Sequence, residues 1–305
     1  MSQTKAVVTG GAGFIGSHIV EMLLERGYET HVVDTFVAGR RADRMHTKAI
    51  YHEIDVRDTG ALTPIFKDAA YVFHEAALPR VEYSIQNPQE TFEVNAGGTI
   101  SVLEAAHTAH VKRVVLATSA SVYGDQETSP LQEDMPAHPM SPYAFQKYVS
   151  ENACRLWAEL YGLSTVSLRY FNVYGPRFDA EGPYGLVVGK FLSLRLAGKP
   201  LLIAGDGKHT RDYVHVRDVA RANMLAAESM NVGHGEVINI GTGRETSVLA
   251  IAEQIGGPVE YVAPRTEPAR SCADVSRAEK LLAWKPAVSF DDGVAELKRS
   301  LGITY

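Results

Sequence analysis

One short stretch near the N-terminus constrains this chain more than any other: Gly10-Gly11-Ala12-Gly13-Phe14-Ile15-Gly16, with Gly10, Gly13 and Gly16 spaced three apart. It follows the apolar run Ala6-Val7-Val8-Thr9, which reads as a strand. It leads into Phe14 to Arg26, where Ile15, Ile19, Met22 and Leu23 share one helical face. Glycine permits the tight turn and lets the backbone approach a pyrophosphate, which then rests on a helix N-terminus where free N–H groups and the dipole favour anions. Thr30 to Val33 reads as the next strand. Asp34 ends it, about twenty residues past the first glycine and placed for ribose hydroxyls. A glycine triplet alone is only a tight turn; strand, triplet, helix, strand and acid in register predict dinucleotide binding. A carboxylate at Asp34 would repel a 2′-phosphate and favours NAD over NADP, with Arg40 and Arg41 close by in sequence as the counterweight. Asp55, after the third strand at Ile50 to Ile54 and followed by Val56, is either a partner for the adenine edge or a turn cap.

The alternation continues. Tyr71 to Phe73 reads as a strand, about Pro88 to Ala109 as a long helix, Arg113 to Ala117 as a strand, about Pro142 to Tyr161 as a helix and Ser164 to Tyr170 as a strand. Near-continuous apolar strands alternating with helices predict an α/β fold, a Rossmann-type doubly wound parallel sheet covered on both faces. After Tyr170 glycine and proline become frequent and the helical patterns shorten. The expected division is therefore an NAD-binding domain of residues 1–171 with about 213–241, and a smaller C-terminal α/β substrate domain of about 172–212 with 242–305. The second would lie over the carboxyl ends of the strands, where such sheets bind ligands.

A net charge of −6 gives no general attraction to nucleic acid or to anionic membranes. Cys154 and Cys272 are the only cysteines and have no metal-like spacing, the histidines show no ligand pattern, and no metal is expected. The N-terminus lacks the apolar stretch of a secretory signal, and nowhere do roughly 18 apolar residues run together. A cytoplasmic protein is expected.

Tyr143 and Lys147 stand four apart near the start of a helix, hence on one face. By itself this is a bland surface pair. Its position raises it, because Thr118-Ser119-Ala120-Ser121 ends the preceding strand and brings a hydroxyl cluster to the same sheet edge.

Here a resemblance is plain. The chain resembles the extended short-chain dehydrogenase/reductases, and among them the UDP-hexose 4-epimerases. The shared residues are Thr9 to Ser17, His74-Glu75-Ala76-Ala77, Asn95, Ser119 to Gly124, Ser141-Pro142-Tyr143 with Lys147, Arg169 to Arg177, Gly205-Asp206-Gly207, Arg211 to Val216 and Asn239-Ile240-Gly241. The resemblance implies that Tyr143 is the general base at the sugar 4-hydroxyl. Lys147 would hydrogen-bond the nicotinamide ribose and favour the phenolate, and Ser119 would hydrogen-bond the oxygen at the reacting carbon. A free phenol, with a pKa of roughly 10, needs those cations to act as a base near neutrality. For the cofactor it implies Gly10, Gly13, Phe14, Ile15, Gly16, Asp34, Asp55, Val56, Ala76, Ala77, Asn95 and Tyr170 besides Tyr143 and Lys147. For a UDP-sugar it implies Asn172, Arg211 and Arg265, alongside Ser119 and Tyr143. The stretch at Arg265 is one residue short of the family pattern, so Arg270 is the alternative phosphate clamp.

Ser271 aligns with a position where a bulky tyrosine restricts relatives to unacetylated hexoses, so the small residue implies UDP-GlcNAc/UDP-GalNAc as well as UDP-Glc/UDP-Gal. The dehydratases carry an Asp–Glu pair after the active-site hydroxyl, and decarboxylases tend to carry an acid there. This chain has Ser119 and Ala120, which favours simple 4-epimerisation through a transient 4-keto sugar. The alternatives are another outcome from the same ketone (uronate epimerisation, 4,6-dehydration or decarboxylation) and a non-catalytic NAD-binding regulator. His74 reads as a structural histidine and Trp284 as core. A homodimer through the two long helices is implied by resemblance alone.

Overall fold

The computed structural model describes residues 3–178, 187–264 and 268–303. In chain order the first half comprises β1 (Lys5–Thr9), α1 (Phe14–Glu25), β2 (Glu29–Asp34), β3 (Ile50–Glu53), α2 (Thr59–Phe66), β4 (Ala69–His74) and α3 (Val81–Gln86). It continues with α4 (Pro88–Phe92), α5 (Gly98–Thr108), β5 (Arg113–Ser119), α6 (Pro142–Tyr161) and β6 (Thr165–Tyr170). Short elements follow: β7 (Asn172–Tyr174), α7 (Val187–Leu196), β8 (Leu201–Ala204), β9 (Thr210–Arg211) and β10 (Tyr213–His215). Then come α8 (Val216–Glu228), β11 (His234–Ile240), β12 (Thr246–Ser247), α9 (Val248–Ile255), β13 (Val259–Val262), β14 (Arg270–Ser271), α10 (Ser276–Leu282) and α11 (Phe290–Ser300).

Seven strands form one sheet in the order β11-β6-β5-β4-β1-β2-β3, every neighbouring pair parallel. The expected doubly wound sheet is present. Strand order reverses between β1 and β4, and ligands of such sheets bind in the crevice that this opens at the carboxyl ends. Strand side chains alternate between two cores. Ala6 and Val8 pack with Ile19 and Leu23 of α1 and Val219 of α8, whereas Val7 packs with Leu62 and Phe66 of α2, Leu103 of α5 and Cys154 of α6. Each fully buried aliphatic side chain contributes about 1.5–3 kcal/mol, so these faces hold the strand ends in place.

A separate cluster of Tyr174, Phe191, Leu192, Leu201, Ile203, Ile251 and Leu297 supports the later elements. Residues 276–284 depart from the expected division. Ala278, Leu282 and Trp284 pack into the large-sheet core, where Trp284 donates its indole N–H to the Asp218 carbonyl at 3.0 Å. Trp284 is core, as expected, but on the sheet side.

The expected helix at 88–109 is interrupted by a π turn at Glu93–Gly97, next to which Gly98 lies so close to Val56 that a Cβ there would sit 2.8 Å from a valine methyl. The sequence reading names no helix between the third and fourth strands, where α2 lies with Pro64 inside it; Asp58 caps that helix by accepting the Ala61 N–H at 3.0 Å. Among the described residues no helix is long and apolar enough to cross a membrane.

Candidate active site

The glycine turn is a backbone-to-backbone fit. Gly10 has φ +68°, and a Cβ there would lie 2.6 Å from the Ala76 nitrogen. At Gly16 a Cβ would lie 2.3 Å from the Gly10 carbonyl oxygen. Only glycine lets β1 turn under the end of β4 and pass straight into α1. The first N–H groups of α1, at Phe14, Ile15 and Gly16, have no intrahelical acceptor and form an anion cradle.

Asp34, half-buried at the end of β2, accepts the Ala12 N–H at 3.1 Å and the Phe36 N–H at 2.8 Å. Burial raises its carboxyl above the ordinary range, and those two bonds oppose the rise. Arg40 and Arg41 are engaged elsewhere: Arg40 pairs with Glu53 at 2.6 Å, and Arg41 pairs with Asp43 at 2.7 Å. That geometry suits Asp34 to a free ribose rather than its phosphate ester. Asp55 does cap a turn, accepting the Arg57 N–H at 2.9 Å, and it pairs with the Arg57 guanidinium at 2.6 Å while lining the cleft with Val56.

Ala76 and Ala77 continue the cleft wall beyond β4. Asn95 sits differently. It is buried in the π turn, with its amide spent on the Leu78 N–H at 2.7 Å, the Leu78 carbonyl at 3.1 Å and Gln146 at 2.8 Å, and it is absent from the cleft lining. Its position is that of a support for the 76–80 loop. His74 lies between Thr9 Oγ1 (2.7 Å) and Thr99 Oγ1 (3.1 Å), and burial pushes it down to about 3, a neutral structural histidine as expected.

The chemical residues converge at the other end. Ser141 caps α6 by accepting the Ala144 N–H at 3.2 Å, Pro142 fills the first turn, and the Ser84 hydroxyl accepts the Tyr143 N–H at 3.1 Å. Lys147, one turn on, is buried; its Nζ lies 5.9 Å from the Tyr143 ring centre and donates to the Ala117 carbonyl at 2.9 Å. A hydrogen bond joins Tyr143 to Ser119. Burial pushes the Tyr143 phenol up to about 12, against that bond, with the Glu75 charge adding to the rise. Burial likewise pushes Lys147 down to about 8, opposed by Glu75 and Glu151. In the protein alone desolvation thus holds the phenol above its ordinary value; the nicotinamide ring, the second cation on which the expected phenolate relies, belongs to the cofactor.

The sequence reading leaves Glu151 unnamed and quotes Glu75 without a role. Glu151, under the active helix, accepts Thr118 Oγ1 at 2.8 Å and forms a buried two-bond pair with Arg169 at 2.8 and 2.7 Å, which anchors the end of β5 to α6. Glu75 opens onto the cleft and accepts the hydroxyl of Tyr170 at 2.8 Å. Its signal was a charge ending an apolar central strand, the place where this fold binds ligands.

A single cleft of about 2260 Å³ joins these residues to the later elements. It exceeds the 300–1,000 Å³ typical of one small ligand and has room for two. β9 and β14 pair in register, Arg211 beside Ser271, and both line the cleft. Asn172 also lines it and donates its side-chain amide to the Asp212 carbonyl at 3.0 Å. Asp212 is fully buried and accepts the Thr242 N–H (2.7 Å), the Thr242 hydroxyl (2.6 Å), the Gly243 N–H (2.9 Å) and the Ala273 N–H (3.1 Å). Arg270 is turned away, held by Glu245 at 3.0 and 2.6 Å and absent from the lining; Arg265 lies outside the described residues.

The family model described as NAD dependent epimerase/dehydratase family matches residues 6–241. The chain belongs to that family. It is accordingly an NAD-dependent enzyme of the epimerase type, an extended short-chain dehydrogenase/reductase. It is 40% identical over 297 residues to a putative UDP-glucose 4-epimerase of Methanocaldococcus jannaschii, covering 94% of this chain and 95% of that one. The UDP-glucose 4-epimerase of Thermotoga maritima, solved with UDP-glucose, superposes with a TM-score of 0.91 at 37% identity, covering 98% of this chain and 100% of that one. The Thermus thermophilus UDP-glucose 4-epimerase, solved with NAD, gives 0.89 at 35% identity over 99% and 100%. Members differ in outcome: a UDP-N-acetyl-α-D-glucosaminuronate decarboxylase of Bacillus cytotoxicus is 34% identical over 96% of each chain.

The residues present fit the cofactor. The cradle that a Cβ would fill at Gly10 and Gly16, the α1 N-terminus and Asp34 suit the two ends of an adenosine diphosphate, with Lys147 and Tyr143 beyond.

Proposed function

We propose that this chain is a 4-epimerase of a UDP-hexose, interconverting UDP-Glc and UDP-Gal and also UDP-GlcNAc and UDP-GalNAc. The observation that carries this reading is the convergence of Ser119, Tyr143 and Lys147 on one cleft with the glycine cradle. NAD supplies a hydride acceptor at this end of the cleft. Tyr143 takes the proton of the 4-hydroxyl, Ser119 holds the same oxygen, and Lys147 keeps a positive charge beside the phenol. Loss of proton and hydride leaves a 4-keto sugar; return of both, on the other face, gives the epimer with no net oxidation. Because the protein alone leaves Tyr143 protonated, its use as a base depends on the cationic ring.

Asn172 and Arg211 are the proposed contacts to the diphosphate, a guanidinium fork being suited to phosphate oxygens. Ser271 beside Arg211 leaves room for a 2-N-acetyl group. No carboxylate follows Thr118, and Glu75, whose charge acts on Tyr143, is tied to Tyr170 rather than placed after the β5 hydroxyls; this supports epimerisation over dehydration or decarboxylation. We also propose a homodimer. Phe145, Tyr148, Leu156 and Leu160 form an exposed apolar stripe on α6, Leu160 at 68% exposure, and Phe92 of α4 and Ile100 of α5 are exposed on the helices packed against it. Two free cysteines, both buried, fit a cytoplasmic protein.

The test is to incubate purified protein with a panel of nucleotide sugars, without added cofactor, and identify products by NMR. Interconversion of gluco and galacto forms is expected. A 4-keto-6-deoxy sugar, a pentose or no product would overturn the reading.

A further inference from the structure

We propose that Glu75 is the counter-ion of the bound nicotinamide ring and that it biases the cofactor toward its oxidised form. The proposal rests on the NAD-dependent reading above and goes beyond it, since nothing there assigns Glu75.

Glu75 follows β4 directly, at the reversal of strand order between β1 and β4, and its backbone carbonyl carbon would lie 2.9 Å from a Cβ on Gly10. The cleft has two distinguishable ends, Asp34 at one and Tyr143 with Lys147 at the other. Glu75 belongs to the second: Tyr170, to which it is bonded, stands in register beside Ser119, and its charge acts on both Tyr143 and Lys147. It is also held in place: Tyr170 donates its hydroxyl to Oε1 at 2.8 Å, and Asn223 Nδ2 donates to that same hydroxyl at 2.7 Å.

The charged and titratable groups facing it are Lys147, Tyr143 and Tyr170. Glu151, the other acid that acts on Lys147, is spent on Arg169, and His74 points between Thr9 and Thr99. Burial pushes the Glu75 carboxyl up to about 7, with Tyr170 and Lys147 opposing the rise, so the anion is available just above neutrality.

The oxidised ring carries a unit positive charge and the reduced ring none. An anion beside it stabilises the oxidised form, all the more where water is scarce. When hydride leaves sugar C4, the sugar is oxidised to the ketone, the ring is reduced, and the proton goes to Tyr143. Glu75 favours the reverse transfer, the step by which an enzyme of this kind hands its hydride back.

The test needs no turnover. Purified protein is equilibrated with excess equimolar oxidised and reduced NAD at about pH 8, stripped of unbound cofactor, and the two bound forms are quantified. Glu75→Gln is expected to raise the bound reduced-to-oxidised ratio about tenfold relative to wild type, equivalent to about 30 mV for a two-electron couple. Glu75→Asp, which keeps the charge, should stay within about twofold of wild type. Loss of packing alone would weaken both forms equally and leave the ratio unmoved.

An unchanged ratio in Glu75→Gln overturns the proposal. Should that variant not fold, Tyr170→Phe is the substitute: removing the donor favours the neutral carboxyl, and the ratio measured at neutral pH should rise about threefold. No rise would overturn the proposal. Wild-type protein that holds no nicotinamide would overturn the functional reading as well, whereas bound cofactor with an unmoved ratio overturns this inference alone.

Discussion

The two walls of the cleft are built by different means. On the cofactor wall Asp34 and Ser119 end long parallel strands, and Gly10 and Glu75 follow directly on two more, all fixed by sheet register and by two opposed cores. On the substrate wall they come from strands of two or three residues, β7, β9 and β14, gathered around Asp212, whose carbonyl accepts from Asn172 and whose buried carboxylate accepts from Thr242, Gly243 and Ala273. A wall set by register tolerates no change in its backbone contacts but needs few side-chain ties. A wall set by one buried carboxylate keeps its fold locally and changes its ligand easily. That fits a family whose members share a cofactor and differ in sugar chemistry.

If the contrast holds, substitutions on the two walls fail differently. The largest effect is expected from Tyr143→Phe, which removes the proton acceptor and should slow epimerisation about a thousandfold while bound NAD is retained, as read by NMR turnover and cofactor extraction. A variant that keeps its rate would break the assignment of the cofactor wall. Next comes Gly16→Ala. Its methyl would meet the Gly10 carbonyl at 2.3 Å, so the turn must open, costing about 1–3 kcal/mol and leaving purified protein with little cofactor.

The fold was legible where local rules and tertiary packing agree. The apolar strands and one-sided helices announced the parallel sheet, and glycine spacing announced the turn, because backbone sterics there admit no other residue. Strand order was not legible, since register is a property of pairs. The resemblance implies a cofactor contact at Asn95, yet its amide is consumed by Leu78 and Gln146 in a π turn that no periodicity reveals. Arg270 was the alternative phosphate clamp until its pairing with Glu245 appeared, a contact between residues 25 apart. Short-strand walls hide this way: two residues carry no alternation to read.

The substrate wall offers the sharper half of the comparison. Asp212→Ala would orphan the N–H groups of Thr242, Gly243 and Ala273, each costing about 1–3 kcal/mol if it stays dry. It is expected to raise KM for the nucleotide sugar about tenfold or more while cofactor content stays that of wild type; cofactor loss would mean that the walls are not independent. Ser271→Tyr should lower kcat/KM for UDP-GlcNAc about tenfold and spare UDP-Glc, and equal turnover of variant and wild type on UDP-GlcNAc would remove the gate.

The smallest effect concerns stability. Glu75 has its folded-state pKa raised to about 7, so the stability it contributes is present at low pH and is lost as pH rises from its unfolded value toward 7. In cofactor-free protein, the melting temperature of Glu75→Gln minus that of wild type should therefore grow by about 2–4 °C over that window. A difference that is flat with pH would show that the carboxyl titrates normally.

In the proposed reaction, hydrogen leaves C4 for the ring and comes back to the same carbon while Tyr143 handles only the proton. Supplying a UDP-hexose with deuterium at C4, in ordinary water, measures this directly. Retention of the label at C4 of the epimer, with no solvent hydrogen entering there, is the expected result. Wash-out of deuterium into water would contradict it.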